Sequence, residues 1–420
     1  MSLFFYNLFV SLYQIGIKLI AFRSPKAKLW LEGRSGIFKK LQYWKNELNI
    51  SDKIIWVHCA SLGEFEQGRP IIENIKKDYP HYKILLTFFS PSGFEVRKNY
   101  NQVDAVFYLP MDGKQIAQQF IDIVKPNFVI WVKYEYWYHY LTTLKTRNIP
   151  LFLVSAKFRD TQPFFKWYGG LWIKILQSFT HLFLQNDETS AVLLEKILIK
   201  NFTIAGDTRF DRVVAIANNK NILPEEIISF CKNEKVIVAG STWEEDEELL
   251  LHYANVHPEI KFIIAPHDID VERIADVKKI FKNAKTFSDM MEGEKVNQIL
   301  IIDNIGMLSQ LYKLGDVAFI GGGFNDSGIH NILEAAVYGK PIIFGQVYEK
   351  FTEAVDLVNA GGAYTIESAL ALETLLDKLF MDKILLENAS SVSKQYVIKM
   401  QGATNKIINY LHENRLLTSS

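Results

Sequence analysis

Cysteine is scarce in this 420-residue sequence, which contains two such residues. Cys59 and Cys231 lie far apart, and neither has other ligands near it at a metal-binding spacing. This excludes a disulfide framework and a zinc-finger type of site, and it is typical of a protein from a reducing compartment. The sequence also contains no low-complexity tract and no internal repeat.

An excess of charge of either sign is also absent, because 47 lysines and arginines balance 47 aspartates and glutamates. A nucleic-acid-binding protein commonly carries a basic excess, so we expect no nucleic-acid partner. Apolar residues make up 49% of the chain, which excludes a disordered protein and suffices for large cores. A chain of this length is expected to form two domains.

Acidic residues are missing from the first 31 positions, and Lys18 is the only charged residue in Met1–Phe22. Basic residues follow this apolar stretch, whereas a cleavable signal peptide has them in front. A segment of about 20 apolar residues can span a bilayer, but Asn7 and Gln14 favour a tilted or interfacial helix. Cations after such a helix stay on the cytoplasmic side. We expect an N-terminal anchor at the cytoplasmic face of the inner membrane; a buried helix is the alternative.

Beyond residue 50, short apolar runs alternate with amphipathic stretches. The first series includes KIIWVHC, NFVIWVKYE and LFLVSAK, and a second series begins with KVIVAGST, KFIIAPHD and DVAFIGGG. Such alternation indicates parallel βαβ units. The two series predict an α/β protein with two doubly wound, Rossmann-like domains that face a cleft. Ligands of such sheets bind outside the carboxyl ends of the strands.

The stretch HCASLGEFEQG, His58–Gly68, has a glutamate, Glu64, where a strand should turn into a helix. A buried strand needs no acid at its end, so this carboxylate is a candidate for chemistry. The dipole of the following helix would keep a base at this position ionised. A helix-capping role is the alternative.

The segment Val317–Gly345 is a candidate site for a phosphorylated ligand. Its glycines, Gly322 and Gly323 among them, would let a ligand approach the backbone closely. A helix predicted from His330 to Gly339 would offer free N–H groups to a phosphate. The spacing matches neither GxGxxG nor a P-loop, and capping and packing are the alternative.

Side chains near the start of that predicted helix could contact the sugar of a nucleotide. Glu334 could accept hydrogen bonds from ribose hydroxyls, and His330 and Asn331 complete the group. The stretch GSTWEEDE at 240–247 opens another helix. Ser241 and Thr242 are candidates for binding there, but Ser241 with Glu244, or Thr242 with Glu245, also has capping-box spacing.

Two stretches of the first series carry charged residues among aromatic ones. WVKYEYWY places Glu135 beside Lys133 and Trp137 at a strand end, and SAKFRDTQPFFKWYGG contains Lys157, Arg159 and Lys166. An anionic amphiphile would require the cations and aromatic residues of the second stretch. A structural acid and a solvated loop are the alternatives.

Together these stretches resemble the 3-deoxy-D-manno-octulosonic acid (Kdo) transferases of lipopolysaccharide synthesis, membrane-associated glycosyltransferases of the GT-B fold that use CMP-Kdo. The resemblance extends over almost the whole chain: GRSG at 33–36, HCASLGE at 58–64, KYEYW at 133–137, SAKFR at 155–159, AGDTRFDR at 205–212, AGSTWEEDE at 239–247 and GIHNILEAAVYGKPIIFG at 328–345. HCASLGE and the last motif are specific as a pair. The chain departs from the family pattern at Lys133, Tyr138, the start of SAKFR, and APHDID at 265–270.

The resemblance implies inverting transfer of Kdo from CMP-Kdo to a lipid A precursor, a tetraacyl disaccharide bisphosphate, with Glu64 as general base and no cofactor or metal. It implies that the donor is bound by Ser241, Thr242, His267, Gly322, Gly323, His330, Asn331 and Glu334. Acceptor-binding or structural roles fall to Gly63, Glu135, Lys157, Arg159, Arg209 and Arg212.

The domain limits are predicted accordingly. Residues 1–45 form the anchor and basic segment, 46–205 the acceptor-binding domain, 206–390 the CMP-sugar-binding domain, and 391–420 a helical segment able to pack back on the first domain. Two other functions stay open: a GT-B transferase with a UDP-sugar and a lipid acceptor, and a soluble nucleotide-sugar 2-epimerase. Nucleotide preference distinguishes the first, and turnover without an acceptor the second.

Overall fold

The computed structural model describes residues 2–185, 188–219 and 223–418. The chain forms two compact units. Unit 1 comprises Met1–Arg212 and Gly402–Ser420, and unit 2 comprises Val213–Gln401. Unit 2 is therefore inserted into the sequence of unit 1.

Unit 1 begins with helices α1 Leu3–Ile20, α2 Pro25–Arg34 and α3 Ile37–Glu47. The hydroxyl of Ser24 accepts a hydrogen bond from the Ala27 N–H, and Pro25 follows it, so both residues favour a helix start at this point. Gly36, with φ +63°, separates α2 from α3. Among the described helices, α1 is the one that is long and apolar enough to cross a membrane, judged by length and composition alone.

The described residues of unit 1 contain a parallel sheet of seven strands in the order β3-β2-β1-β4-β5-β6-β7. The strands are β1 Ile54–Cys59, β2 Lys83–Phe88, β3 Ala105–Tyr108, β4 Phe128–Val132, β5 Leu151–Ala156, β6 His181–Leu184 and β7 Phe202–Ile204. The helices between and after them are α4 Leu62–Asp78, α5 Pro91–Arg97, α6 Lys114–Val124, α7 Tyr138–Thr146, α8 Gly170–Leu176 and α9 Glu188–Lys196. Helix α10, Thr208–Asn218, begins in unit 1 and continues past its limit at Arg212.

The central strands of this sheet are buried on both faces. Every residue of β1 and of β4 is buried. Trp56 and Trp131 belong to the hydrophobic core on one face, and Val57 and Ile130 belong to the core on the other. Strands that are covered by helices on both faces have near-continuous apolar sequences. This is why the apolar runs in the sequence predict these strands.

Unit 2 contains a second parallel sheet, with seven strands among the described residues, in the order β10-β11-β9-β8-β12-β13-β14. The strands are β8 Lys235–Thr242, β9 Ile260–Pro266, β10 Lys285–Thr286, β11 Ile299–Ile301, β12 Val317–Ile320, β13 Ile342–Phe344 and β14 Ala363–Thr365. The helices are α11 Glu225–Cys231, α12 Glu244–Val256, α13 Val271–Ile280, α14 Phe287–Met291, α15 Leu308–Leu311, α16 Leu333–Ala336, α17 Thr352–Ala360, α18 Ala369–Met381 and α19 Lys383–Met400.

The chain then returns to unit 1 in helix α20, Ala403–Glu413, which packs against α4. The carboxylate of Asp211 accepts hydrogen bonds from the backbone N–H groups of Gly402, at 2.5 Å, and Thr404, at 2.7 Å. The point where the chain leaves unit 1 is thus tied to the point where it returns.

The prediction of an α/β protein with two doubly wound parallel sheets is confirmed. The helix predicted from His330 to Gly339 is wrong in extent, because the structure contains only the four-residue α16 there. The side chain of Asn331 accepts a hydrogen bond from the Leu333 N–H, which sets a later helix start, and Gly339 adopts a left-handed φ of +67° that ends the segment.

Candidate active site

The candidate residues lie where strand order reverses in each sheet. In unit 1 the reversal falls between β1 and β4, which pair directly, with Cys59 opposite Val132. In unit 2 it falls between β8 and β12, with Gly240 opposite Ile320. Ligands of open α/β sheets bind outside the carboxyl ends of the strands at such points. Glu64 and Glu135 follow the first pair of strands in sequence.

Glu64 lies in the first turn of α4, whose N-cap residue is Ser61. Its side chain is half-buried, and its carboxylate accepts a hydrogen bond from the Ser61 hydroxyl. Ser61 makes no side-chain cap to the helix backbone, so this pair does not form the reciprocal capping box that its spacing would allow. The simple capping explanation of Glu64 therefore lacks the hydrogen bonds to the helix backbone that it requires, since the Glu64 carboxylate binds the Ser61 hydroxyl instead.

Gly63 is exposed directly before Glu64. A Cβ atom built at Gly63 would find the Ser61 Oγ atom at 3.8 Å and nothing closer. Packing within the described protein therefore does not require glycine at this position. A small residue here leaves room for a ligand beside Glu64.

Glu135 is held by a buried chain of hydrogen bonds. Its Oε2 atom lies 2.8 Å from Nε2 of His58 and accepts from the Trp137 indole N–H at 3.0 Å. On the other side of the ring, His58 Nδ1 lies 2.9 Å from the Thr87 hydroxyl, which accepts from the Trp56 indole N–H at 2.8 Å. The sequence pattern did not predict roles for His58 and Thr87.

This arrangement favours one tautomer of His58. An indole N–H can only donate, so the Thr87 oxygen accepts from Trp56. The Thr87 hydroxyl can donate to Nδ1 of His58 at 2.9 Å or to the Val57 carbonyl at 3.5 Å, and the shorter contact favours Nδ1. Nε2 then carries the ring proton and donates it to Glu135. Each of the four side chains Trp56, Thr87, His58 and Glu135 is thus hydrogen-bonded to the next. These bonds hold the Glu135 carboxylate in one orientation.

Several charged candidate residues influence the pKa values of groups at the same end of the sheet. Burial raises the pKa of the Cys59 thiol, and the charges of Glu64, Glu66 and Glu135 raise it further. Burial also raises the pKa of Tyr134, while Arg159 opposes this rise.

A second cation, Arg209, also influences Tyr134. The charge of Arg209 lowers the pKa of Tyr134, and the charge of Glu64 raises it. The side chain of Arg209 binds the Asp207 carboxylate at 2.9 Å. Glu64, Arg159 and Arg209 thus lie near enough to Tyr134 for their charges to influence its pKa. Lys157 is half-buried at the end of β5.

Arg212 lies in a different environment from these cations. Its guanidinium lies 3.3 Å from the Glu73 carboxylate and 3.6 Å from that of Glu66, both on α4. Burial and the neighbouring Arg69 lower its pKa. These contacts favour the structural role among the two that the sequence left open.

In unit 2 the glycines after β12 approach the end of β8 closely. The Gly321 N–H donates to the Gly240 carbonyl at 2.9 Å, and a Cβ at Gly321 would lie 2.2 Å from the Ser241 carbonyl oxygen. A Cβ at Gly323 would lie 2.5 Å from the Gly345 nitrogen. Larger residues would therefore separate the strand ends.

Gly322 adopts φ +90° and donates its N–H to Asp246 Oδ2 at 2.9 Å. The same oxygen accepts from the Trp243 N–H at 2.9 Å, and so Asp246, rather than Glu244 or Glu245, caps α12. The two capping boxes expected from spacing are thus wrong, because the helix begins two residues after Thr242. Burial raises the pKa of Asp246 to about 6.

Ser241 and Thr242 differ in their availability to a ligand. The Thr242 side chain is fully buried, and its hydroxyl donates to Glu247 at 2.7 Å. Ser241 is half-buried and adopts a left-handed φ of +55°. Such a conformation costs a residue with a side chain about 1–2 kcal/mol, and strained residues cluster at functional sites.

Three rings pack together beside the glycine turn. His267 stacks on both Trp243, with centroids 4.7 Å apart, and His330, with centroids 4.4 Å apart. The Trp243 indole N–H donates to Nε2 of His330 at 3.1 Å. Burial and His267 lower the pKa of His330 to about 4. His330 is therefore neutral at pH 7, and its ring proton resides on Nδ1.

Asn331 and Glu334 form a pair, with the Asn331 amide donating to Glu334 Oε1 at 3.1 Å. Asn331 is exposed and Glu334 is half-buried. Because α16 has only one turn, a helix dipole contributes little here, and side chains must supply most of any ligand contact. Among the described residues, His257, Glu373 and Asp377 could also hold a metal ion, but they lie away from these strand ends.

The fold defines the class of the protein: an α/β protein of GT-B architecture. It is similar to UDP-GlcNAc 2-epimerase from Neisseria meningitidis, with a TM-score of 0.61, 17% identity, and coverage of 86% of this chain and 100% of that one. It is also similar to MurG from Acinetobacter baumannii, with a TM-score of 0.53, 11% identity, and coverage of 86% and 99%. At these identities the similarity shows the fold alone.

Sequence relatives identify the family. Residues 31–212 match the model of the 3-deoxy-D-manno-octulosonic acid transferase (kdotransferase) family. The Kdo transferase of Haemophilus influenzae is 26% identical over 94% of this chain and 93% of its own length. That of Aquifex aeolicus is 28% identical over 81% and 89%. These matches are to Kdo transferases, a family of glycosyltransferases, and they support that family for this chain.

Proposed function

We propose that the protein transfers Kdo from CMP-Kdo to a lipid A precursor in lipopolysaccharide synthesis, with inversion at the anomeric carbon. Unit 1 binds the acceptor and carries the general base, Glu64, and unit 2 binds the donor. The observation that carries the proposal is the position of Glu64. Its carboxylate is only half-buried and lies in the first turn of α4, just beyond the carboxyl end of β1.

In this mechanism the acceptor hydroxyl attacks the anomeric carbon of Kdo while Glu64 takes the hydroxyl proton. The new carbon–oxygen bond forms on one face of the sugar. The bond to the phosphate oxygen breaks on the other face, and CMP leaves with the bonding electrons. Arg159, Arg209 and Lys157 hold the phosphorylated acceptor, and Glu135, fixed by His58, lies at the same strand ends.

On the donor side, the glycine turn at Gly322 and Gly323 brings the backbone of the strand ends together, and the nucleotide binds beside this turn. The half-buried Ser241 offers its hydroxyl, and the neutral His330 offers an Nδ1 proton. His267 contacts the phosphate, and Asn331 with Glu334 binds the ribose hydroxyls. Thr242 supports the site through Glu247 rather than by contact, because its side chain is buried.

One incubation tests the reaction. The purified protein with CMP-Kdo and a tetraacyl lipid A precursor should give an acceptor whose mass has increased by one or more Kdo residues. CMP should raise the melting temperature and UDP should not. Stabilisation by UDP alone would favour the UDP-sugar transferase, and turnover of a nucleotide sugar without acceptor would favour the epimerase.

The ribose contact gives a separate prediction. Glu334→Ala should weaken CMP binding by about 1.5–3 kcal/mol, because a charged hydrogen-bond partner is lost. Calorimetric titration with CMP measures this change. Glu349→Ala, outside the proposed site, is the control, and equal affinities in the two variants would assign the ribose contact to other residues.

We also propose that α1 attaches the protein to the cytoplasmic face of the inner membrane while lying in the interface. Its outer face exposes Phe5, Leu12, Leu19 and other apolar side chains. On its inner face, the Tyr6 hydroxyl donates to Asp112 at 2.6 Å, and Asn7 bonds His139 at 2.7 Å. These bonds support an amphipathic interfacial helix, since a spanning helix would break them.

Acidic substitutions on the outer face of α1 should release the protein from membranes. The double variant Phe5→Asp/Leu12→Asp should reduce sedimentation with anionic vesicles at least tenfold. Each of the two apolar side chains, when buried in the lipid, contributes roughly 1.5–3 kcal/mol to membrane binding. Leu370→Asp, at an equally exposed position in unit 2, should change nothing. Unaltered sedimentation of the double variant would contradict the proposal.

A further inference from the structure

An apolar cavity of about 540 Å³ lies within unit 1. Its walls include Tyr6 and Phe9 of α1, Tyr136 and Trp137 after β4, and Phe164 and Trp172. The volume falls within the range of about 300–1,000 Å³ that is typical of small-molecule sites. We propose that this cavity holds one acyl chain of the acceptor lipid, a role that rests on the proposed function.

The walls of this cavity are fixed by hydrogen bonds and ring contacts. The Tyr6 hydroxyl donates to the buried carboxylate of Asp112 and accepts from the Tyr138 N–H at 3.0 Å. On the opposite side, Phe164 packs edge-on against Tyr136, with centroids 4.9 Å apart, and Trp172, with centroids 5.8 Å apart. The cavity therefore persists without a loosely held element closing it.

The chemistry of the lining selects a hydrocarbon chain. Glu135 and Gln162 are its non-aromatic polar residues, and the Glu135 carboxylate already binds His58 and Trp137. A peptide would bury backbone N–H and C=O groups without enough partners, which is costly. An acyl chain has no such groups, and each buried methylene contributes about 0.8 kcal/mol.

The position of the cavity connects the membrane face to the proposed acceptor site. Phe9 lines the cavity and is 57% exposed on the outer face of α1, so a chain can enter from the bilayer interface. Tyr134, another lining residue, experiences the charges of Arg159 and Arg209. An anionic headgroup beside these cations would leave one of its acyl chains at the cavity.

The first test locates a chain directly and needs no donor. A palmitic acid analogue with a diazirine at its chain end is irradiated with the full-length protein, and the labelled peptides are mapped. Labels should fall on Tyr136, Phe164 or Trp172. Competition by the tetraacyl precursor should remove them, whereas the deacylated sugar bisphosphate should not. Labels confined to the outer face of α1, or removed by phospholipid but not by the precursor, would overturn the proposal.

The second test compares two variants that remove the same kind of side chain from the membrane face. Phe9 and Leu19 are 57% and 68% exposed, but only Phe9 lines the cavity. Phe9→Asp should raise KM for the acylated acceptor about tenfold above that of Leu19→Asp, the equivalent of about 1.4 kcal/mol, with kcat unchanged. Equal effects of the two variants would overturn the proposal.

A deacylated acceptor separates this inference from the proposed function. With it, Phe9→Asp and the wild type should have equal KM values, since no chain enters the cavity. If the wild type is labelled inside the cavity but transfers no Kdo to any acceptor, the proposed function fails and the chain-binding site remains.

Discussion

Glu64→Gln should lower the turnover of Kdo transfer by about 10²–10⁴-fold, the usual contribution of a general base. Glutamine has the same shape and can still accept a hydrogen bond from Ser61, but it cannot take a proton from the acceptor hydroxyl. The affinity for CMP should remain unchanged, because the donor residues lie in unit 2. Initial rates and calorimetric titrations on one preparation measure both quantities.

Stability measurements distinguish this loss from a structural effect. If Glu64 only capped α4, its replacement would cost on the order of 1 kcal/mol of stability and spare turnover. Glu66→Gln is the matched control, since Glu66 lies on the same helix and its carboxylate binds Arg97 at 2.9 Å. A folded Glu64→Gln variant with a near-normal rate would end the assignment of Glu64 as the base.

Asp246→Ala should destabilise unit 2 by about 2–4 kcal/mol and abolish most CMP binding. The Asp246 carboxylate accepts from the N–H groups of Trp243 and Gly322, and an unsatisfied buried group costs about 1–3 kcal/mol. Release of Gly322 would also open the glycine turn at the end of β12. Hydrogen exchange of the Gly322 amide and the melting temperature of the full chain report these changes.

Asp246→Asn separates the hydrogen bonds from the charge. The asparagine carbonyl can accept from both N–H groups, so the variant should keep the turn and CMP binding. Slow exchange of Gly322 in the alanine variant, or rapid exchange in the asparagine variant, would show that this carboxylate does not hold the turn.

The stability of the wild type and that of Asp246→Asn should also change differently with pH. The pKa of Asp246 is about 6 in the folded protein, against an ordinary value of 3.8. Between these values the folded state binds more protons than the unfolded chain, so this group's contribution to stability falls as pH rises from about 4 to 6. Asparagine does not titrate, and the stability of Asp246→Asn relative to wild type should therefore improve over that interval.

The sheets could be predicted from the sequence because β1, β4 and β8 are buried on both faces and appear as continuous apolar runs. The short strands β10 and β14, of two and three residues, contain too little pattern to be recognised. The position of Glu64 at a strand end was predictable for the same reason, since it follows directly from the end of β1.

The contacts that orient the site residues could not be predicted from the sequence pattern. His58 reaches Thr87 across the register of β1 and β2, and it reaches Glu135 from a position 77 residues away. Asp246 is one of four acids in the first turn of α12, and it is the one whose carboxylate accepts from the backbone N–H groups of Trp243 and Gly322. Local spacing carries no information on such pairings, because they depend on how distant strands align.

The return of α20 to unit 1 has a consequence for synthesis on the ribosome. Because unit 2 is inserted between Arg212 and Gly402, the whole of unit 2 is translated before the last helix of unit 1. Domains generally fold as units while the chain emerges. Unit 2 can therefore complete its sheet while α4 still exposes the apolar surface that Ile407 and Leu411 later cover. Unit 1 can therefore complete its core only after residues 403–413 have been translated.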